Sequence, residues 1–399
     1  MLGRVLAPEL NANDAVLIPY YEPQNFNNRG RTMTDTKKKT VKKKMKTPPR
    51  LPIKSVQHDL FCNVLANDPE EVSNTIDLWE RIPKFILSPK EQTSLRTEKG
   101  HADPYKFDYS LKVRQNEAGA YEYVAYTVEI QPALIEQPNG SYKAYFPSTA
   151  EEIIEEVLKK IFTRQGLGVH DAKKGESWVK FSLSMINIEL RKHGASRTIA
   201  QIKHSLEIMS KCVLTVFENE KKVYAGGIFE NYLSVDRKSY LDDSKALHGV
   251  KLSSLVSHSI NTLQYRQFNL PRMLACKSQL ARFLLRRLIN RFIQASLLTD
   301  FDFLFSRIKG ESGLLRKKIE GDNRKKVIAA FDELKKTGAI YRYEVTEKRE
   351  GNKIIDVAYK VFASQEFSTE QKAANARANM IEGKAGNCDL QIVDKSKPR

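Results

Sequence analysis

Apolar and polar residues alternate between Tyr105 and Phe146 with the two-residue period of β-strands. Turn-forming residues interrupt this pattern at Asn116–Gly119 and again at Pro138-Asn139-Gly140. After Pro147-Ser148-Thr149, apolar residues recur at helical spacing as far as Ile161. The pattern therefore predicts a small antiparallel sheet followed by a helix with one buried face.

Two helices separated by a short turn are predicted further along the chain. The first covers Ser184–Lys192 and stops at His193-Gly194, where glycine can adopt the left-handed conformation of a helix end. The second starts at Thr198, because Thr198-Ile199-Ala200-Gln201 matches a capping box. Its buried stripe is predicted to be Ile199, Ile202, Leu206 and Met209. Two helices joined by a turn with glycine are the signature of a helix-turn-helix.

The remaining face of the second helix carries Arg197, Gln201, Lys203 and His204. These donors suit phosphate oxygens and base edges when a recognition helix enters the major groove by its N-terminal end. Val213–Phe217 and Val223–Phe229 predict a hairpin around Glu218–Lys222, which places Lys221 and Lys222 near its tip. Helix, helix and hairpin is a winged-helix order, although an ordinary helical pair with a solvated face fits the same pattern.

The same order returns nearer the C-terminus. A long helix is predicted over Ser278–Gln294, a short one over Phe303–Ile308, and a third that is capped by Asp322 and ends before Gly338. The first turn of the third helix carries Asn323, Arg324, Lys325 and Lys326. Cations at the N-terminal end of a helix are unfavourable for its stability, because they oppose the helix dipole. Their presence there therefore favours a DNA-reading role. Ile340–Thr346 and Ile354–Phe362 predict a second hairpin, with Lys348, Arg349 and Lys353 at its tip.

A row of arginines on the long helix has more than one interpretation. Arg282, Arg286, Arg287 and Arg291 occupy its polar positions. They could hold phosphates, form a solvated face, or pair with acids of a neighbouring domain.

Composition adds a strong charge to this picture. The 399 residues carry a net charge of +18, which suits a nucleic acid, an acidic membrane surface or an acidic protein. Residues 37–50 hold eight Lys/Arg and no acid, so we expect a flexible basic arm there, and the preceding residues 1–32 could be an extension upstream of a start at Met33. The sequence shows neither a run of about 20 apolar residues nor a signal peptide, which predicts a cytoplasmic protein with no membrane partner.

Enzymatic alternatives lack the residue spacing that they need. The histidines include no pair separated by one residue, as a nickase would require, and the Gly-Lys pair at Gly383-Lys384 lacks the rest of a phosphate-binding loop. Glu220 and Lys222 have the E-x-K spacing of some nucleases but fall at a hairpin tip, and Asp300 and Asp302 are more typical of a helix cap than of a metal site. We therefore expect no enzyme activity, no cofactor and no metal. The cysteines are scattered and are expected to be reduced core residues.

The organisation of residues 100–363 resembles the RepA-type initiators of theta-replicating plasmids. The resemblance also covers the local strings Tyr126–Ala133 and Tyr145–Ser148. It implies tandem winged-helix domains, binding to repeated origin sites called iterons, opening of AT-rich DNA, host helicase and initiator proteins as partners, and a possible homodimer. A winged-helix transcriptional repressor is the alternative function. An RNA-binding protein is a third, because Tyr121, Tyr123 and Tyr126 could stack bases.

The predicted fold class is α+β, with tandem winged-helix (helix-turn-helix) domains, a small N-terminal antiparallel sheet and a flexible basic arm. The predicted domains are the arm at 1–54, a first winged-helix domain with a β-rich N-terminal portion at 55–265, a second at 266–363, and a polar flexible tail at 364–399. Double-stranded DNA is the predicted partner.

Overall fold

A computed structural model describes residues 72–114, 121–164, 167–234 and 247–387. The predicted basic arm at 1–54 and the proposed start at Met33 lie outside the described residues. None of the helices in the described ranges combines the length and the apolar character needed to cross a lipid bilayer.

The first half of the described chain mixes short helices with antiparallel strands. Its elements are β1 (Val72–Thr75), α1 (Asp77–Glu80), α2 (Pro89–Leu95), β2 (Tyr105–Arg114), β3 (Tyr121–Gln131), β4 (Ala133–Glu136), β5 (Tyr142–Tyr145), α3 (Thr149–Phe162), β6 (Gly168–Asp171), β7 (Glu176–Phe181), α4 (Leu183–Lys192), α5 (Ile199–Lys211), β8 (Val213–Glu218), β9 (Lys221–Gly227), β10 (Phe229–Leu233), β11 (His248–Leu252) and α6 (Ser254–Asn261).

The second half contains longer helices and one long hairpin. Its elements are β12 (Arg266–Asn269), α7 (Leu270–Ala275), α8 (Gln279–Arg291), β13 (Asp300–Leu304), α9 (Phe305–Ser312), α10 (Glu320–Lys336), β14 (Ile340–Glu350), β15 (Lys353–Ala363) and α11 (Gln365–Asn387). The structure is therefore a mixed α and β fold built on small antiparallel sheets.

The strands assemble into sheets in the orders β2-β3-β8-β9, β10-β11-β7-β6, β13-β15-β14, β4-β5 and β1-β12. The predicted N-terminal sheet is present, but β8 pairs with β3, with Val216 opposite Val128. The first hairpin, β8–β9, is therefore fused to that sheet. In the second half, β13 pairs with β15, so the second hairpin also extends a sheet that includes the strand before α9.

One order of elements occurs twice. Helix α3 is followed by β6–β7, by the pair α4 and α5, and by the hairpin β8–β9. Helix α8 is followed by β13, by the pair α9 and α10, and by the hairpin β14–β15. We refer to these two groups as the first and second unit.

The apolar residues of each half of the described chain form a separate cluster. The buried residues of one hydrophobic cluster run from Ile76 to Ile260, and those of the other run from Phe268 to Phe367. Cys212 belongs to the first cluster and Cys276 to the second, and both are free thiols, as expected. Burial raises the pKa of the Cys212 thiol to about 12, which keeps it protonated and unreactive at neutral pH.

The first helices of the two units meet through buried ion pairs. Arg282 on α8 donates from Nη2 to Glu152 on α3 at 2.7 Å, and Arg286 donates from Nη1 to the same carboxylate at 2.6 Å. Arg286 also donates to Glu156 at 2.9 Å. Of the three interpretations of the arginine row, pairing with acids of a neighbouring unit is therefore correct for Arg282 and Arg286. Arg287 pairs with Glu311 instead.

The prediction of a flexible tail from residue 364 is wrong for the part that is described. Residues Gln365–Asn387 form α11, and Phe367 on this helix is 1% exposed within the second cluster. Arg272 on α7 donates to Glu370 at 2.8 Å and to Glu366 at 3.2 Å. Helix α11 is therefore held by Phe367 in the second cluster and by a polar network with α7.

Candidate nucleic-acid interface

Helix α5 starts with the predicted capping box. The Thr198 hydroxyl accepts from the backbone N–H of Gln201 at 3.2 Å, and the side-chain Oε1 of Gln201 accepts from the backbone N–H of Thr198 at 2.9 Å. Gln201 is exposed, but its oxygen is already used in the cap. Its side-chain NH₂ remains the group that can donate to a base edge.

The other predicted residues of α5 differ in exposure. Lys203 is exposed, and Arg197 is half-buried with Nη1 donating to the carbonyl of Ser196 at 3.0 Å. The ring of His204 is half-buried and packs edge-on against Tyr145, with 4.5 Å between ring centroids. Lys203 and Arg197 can therefore reach an anion, whereas His204 fixes the helix to the hairpin β4–β5.

The first hairpin places its cations as predicted but with a tighter turn. Asn219 and Glu220 form the connection with φ angles of 45° and 69°, the left-handed values that a two-residue hairpin turn requires. Lys221 and Lys222 follow on β9 with exposed side chains. Glu220 lies on this exposed turn as expected, so the E-x-K spacing belongs to a hairpin tip.

Helix α10 of the second unit starts three residues earlier than predicted. Its N-cap is Ile319, and Asp322 lies inside the first turn rather than at the cap. The Lys325 side chain is 84% exposed and lies 3.9 Å from Asp322. Arg324 is half-buried, and the Lys326 ammonium lies 3.5 Å from the Leu314 carbonyl. Partial burial lowers the pKa of Lys326, and the nearby charge of Lys317 lowers it further.

Asn323 is not a DNA-reading residue, in contrast to our prediction. Its side chain is 0% exposed. Oδ1 accepts from the Lys317 N–H at 2.9 Å, and Nδ2 donates to the Lys317 carbonyl at 2.9 Å and to Glu320 at 2.8 Å. A buried amide needs such partners, so Asn323 holds the turn between α9 and α10.

The second hairpin is longer than the sequence pattern predicts. The pairing of β14 with β15 continues to Glu350 opposite Lys353, and Gly351 takes a φ of 57° in the turn. Lys348 and Arg349, near the end of β14, and Lys353, the first residue of β15, are exposed. Arg349 donates to Glu347 at 2.6 Å, an exposed pair that a phosphate could replace.

No protein-family model and no curated protein matches the sequence. Among solved structures, the chain is similar to a crystal structure of SeMet derivatives of domain2 and domain 3 of RctB. The match covers 71% of this chain and 97% of the RctB chain, at 10% identity and a TM-score of 0.41. A second structure of the RctB domains 2-3, RctB-155-483, matches 74% of this chain and 99% of its own length, at 10% identity and a TM-score of 0.41. Pi initiator protein in complex with iteron DNA covers 74% and 98%, at 12% identity and 0.31.

Two lysines at this surface were not among the predicted DNA-binding residues. Lys317 and Lys318 are exposed in the turn before α10, where Asn323 fixes the backbone. The run Arg316-Lys317-Lys318 was a signal in the sequence, but only the fold shows that Arg316 is used by Glu91, at 2.7 Å, while the two lysines point outward. Ile199 was predicted to be buried and is 42% exposed at the start of α5.

The alternative sites are occupied by structural contacts. Arg307 lies 3.4 Å over the ring of Tyr123, and Tyr126 is 5% exposed and stacks on Tyr109 at 5.6 Å. Tyr126 is therefore closed to an RNA base, whereas Tyr123 stays 46% exposed with Arg307 over one face of its ring. Asp300 lies on β13, rather than at a helix cap, and pairs with Lys360 at 3.1 Å. Within the described ranges, no group of three or more His, Cys, Asp or Glu residues could hold a metal ion.

Proposed function

We propose that this protein is a replication initiator that binds repeated DNA sites at an origin through two winged-helix units in tandem. One observation supports this most strongly: a helix with exposed cations at its N-terminal end, followed by a hairpin with a basic tip, occurs twice in the same order of elements. In the second unit, the sheet order β13-β15-β14 is also that of a winged helix.

Each unit contacts one major groove in this proposal. Helices α5 and α10 enter successive major grooves, so one protein covers about 20 base pairs. Gln201, Lys203, Arg324 and Lys325 face the bases, and the hairpin cations Lys221, Lys222, Lys348, Arg349 and Lys353 hold phosphates. The net charge of +18 supports tight and salt-sensitive binding.

The step from DNA binding to initiation rests on the resemblance to RepA-type initiators over residues 100–363. This resemblance also implies host helicase and initiator proteins as partners and a possible homodimer. The protein has no catalytic step in this proposal, and opening of the origin draws on binding energy. The Ser177, His170 and Asn261 side chains form a hydrogen-bonded chain that looks like a hydrolase site, but Ser177 is 0% exposed and unreachable by a substrate.

Binding is tested by selecting sites from random duplexes and footprinting the protein on the selected DNA. We expect protection of two successive major grooves, and the combined change Arg324→Ala and Lys325→Ala should remove protection from one. The matched control is Lys335→Ala with Lys336→Ala, which removes the same charge from the opposite end of α10. Protection of a single groove by the wild-type protein would contradict the tandem arrangement.

Initiation is tested separately from binding. A plasmid with no other origin, carrying this gene and its flanking DNA, should yield transformants in the native host. Transformants should disappear with the Arg324→Ala and Lys325→Ala variant and persist with the control pair. Site-specific binding that represses transcription but never supports this plasmid would favour the repressor alternative.

A further inference from the structure

Each DNA-facing helix exposes an isoleucine at its N-terminal end. Ile199 is the first residue of α5 and is 42% exposed, and Ile319 is the N-cap of α10 and is 66% exposed. Other isoleucines are exposed as well, among them Ile188 on α4 and Ile355 on β15. Ile199 and Ile319 differ from these because both lie at the N-terminal end of a helix that would enter a groove.

Ile319 is a poor residue for helix stability at this position. N-cap positions favour Ser, Thr, Asp and Asn, whose side chains accept from the first backbone N–H groups, and isoleucine has no polar atom to do so. Helix α5, by contrast, has a complete capping box at Thr198. Ile319 therefore gives up the stability of a capping side chain and buries little apolar surface in return, which favours a role outside the fold.

The surroundings hold Ile319 in a defined place. Asn323 fixes both backbone groups of Lys317, two residues before Ile319, at 2.9 Å each. Lys317 and Lys318 are exposed directly before the isoleucine in the chain, and Arg324 and Lys325 follow it within α10. An apolar side chain framed by cations suits a surface that meets DNA, because the cations can bind phosphates while the apolar group faces the bases.

We propose that Ile199 and Ile319 read thymine, one in each half of the binding site, by packing on its 5-methyl group. This inference rests on the proposed DNA-binding function. Thymine alone among the four bases presents a methyl group in the major groove, and apolar side chains recognise it by contact. The neighbouring polar side chains donate hydrogen bonds to acceptors that occur on more than one base. The isoleucines therefore add a preference for thymine that those side chains cannot provide.

The test replaces thymines in the selected duplex one at a time by deoxyuridine, which removes only the methyl group. For one thymine in each half-site, uracil should weaken wild-type binding about fourfold, the value for one buried methyl. Ile319→Ala should abolish this sensitivity in one half-site and Ile199→Ala in the other. Ile355→Ala, an exposed isoleucine away from the helix ends, should keep both sensitivities.

A second variant separates reading from folding. Ile319→Ser supplies a proper N-cap, so we expect an unchanged or higher thermal midpoint together with loss of the uracil effect. If every thymine can be replaced without loss, or if Ile319→Ser and Ile319→Ala keep the wild-type uracil sensitivity, the inference is wrong while the proposed function stands. If random duplexes yield no selected site at all, both are wrong.

Discussion

The buried ion pairs between α3 and α8 predict a large effect for one small substitution. Glu152 is 3% exposed and accepts from Arg282 and Arg286, which come from the other unit. Glu152→Gln keeps the shape of the side chain but removes its charge, and it leaves two buried guanidinium groups short of a partner. We expect this variant to be strongly destabilised and the contact between the units to weaken.

The magnitude follows from the pKa of Glu152. Burial alone raises the pKa, but the charges and hydrogen bonds of Arg282 and Arg286 outweigh burial and lower it from 4.5 to about 2. At about 1.36 kcal/mol per pKa unit, the native contacts favour the charged carboxylate by roughly 3 kcal/mol. Removal of one partner of a buried ion pair costs about 3–5 kcal/mol, in agreement with this value. Such a loss is a large part of the stability of an ordinary domain, about 5–15 kcal/mol.

Urea unfolding followed by tryptophan fluorescence measures the effect. Trp79 is 0% exposed, and its indole N–H donates to Glu155 on α3, so its emission reports on this junction. Trp178→Phe makes Trp79 the sole tryptophan. The control is Glu347→Gln, because the Glu347 pair with Arg349 is exposed and should contribute less than about 1 kcal/mol. Equal urea midpoints for Glu152→Gln and this control would refute the reasoning.

A double variant and the pH dependence sharpen the same test. Adding Arg282→Met to Glu152→Gln should recover part of the loss, because it removes one of the two guanidinium groups that lost Glu152, and the other, Arg286, keeps Glu156 as a partner. The pKa of Glu152 is lowered in the folded protein, so its contribution is fully present above about pH 4.5 and is lost as the pH falls towards 2. The difference in the free energy of unfolding between wild type and Glu152→Gln should therefore become smaller as the pH falls from about 4.5 towards 2.

Three further predictions concern the second unit. Lys348→Ala or Arg349→Ala should weaken binding to cognate and scrambled DNA alike and lower the slope of log affinity against log salt by about one unit, as measured by titration in a salt series. Asn323→Ala should lower the free energy of unfolding by about 1–3 kcal/mol, because it leaves buried groups of the turn unpaired; a urea midpoint equal to that of wild type would show that the turn does not need it. Truncation after Ser364 removes Phe367 from the core and should lower the thermal midpoint by several degrees, as calorimetry can check; an unchanged midpoint would show that α11 does not stabilise the fold.

The sequence predicted those features of the interface that depend on short-range contacts. The capping box of α5 joins Thr198 to Gln201, three residues apart, and the hairpin turn at Asn219–Glu220 joins adjacent strands. Such contacts form between near neighbours, so residue type and spacing are enough to indicate them. The existence of two helix pairs, each followed by a hairpin with basic residues at its tip, was predictable for the same reason.

Tertiary structure decided the role of each side chain within those elements. Sequence spacing placed Asn323 on an exposed face, but the fold buries it against Lys317, and it placed Ile199 in a buried stripe that the fold leaves open. The acids that bind Arg282 and Arg286 lie more than a hundred residues away along the chain, and α11 is held largely by polar partners on other elements. Periodicity reports which residues share one face of a helix, whereas burial and pairing depend on what the rest of the chain brings against that face.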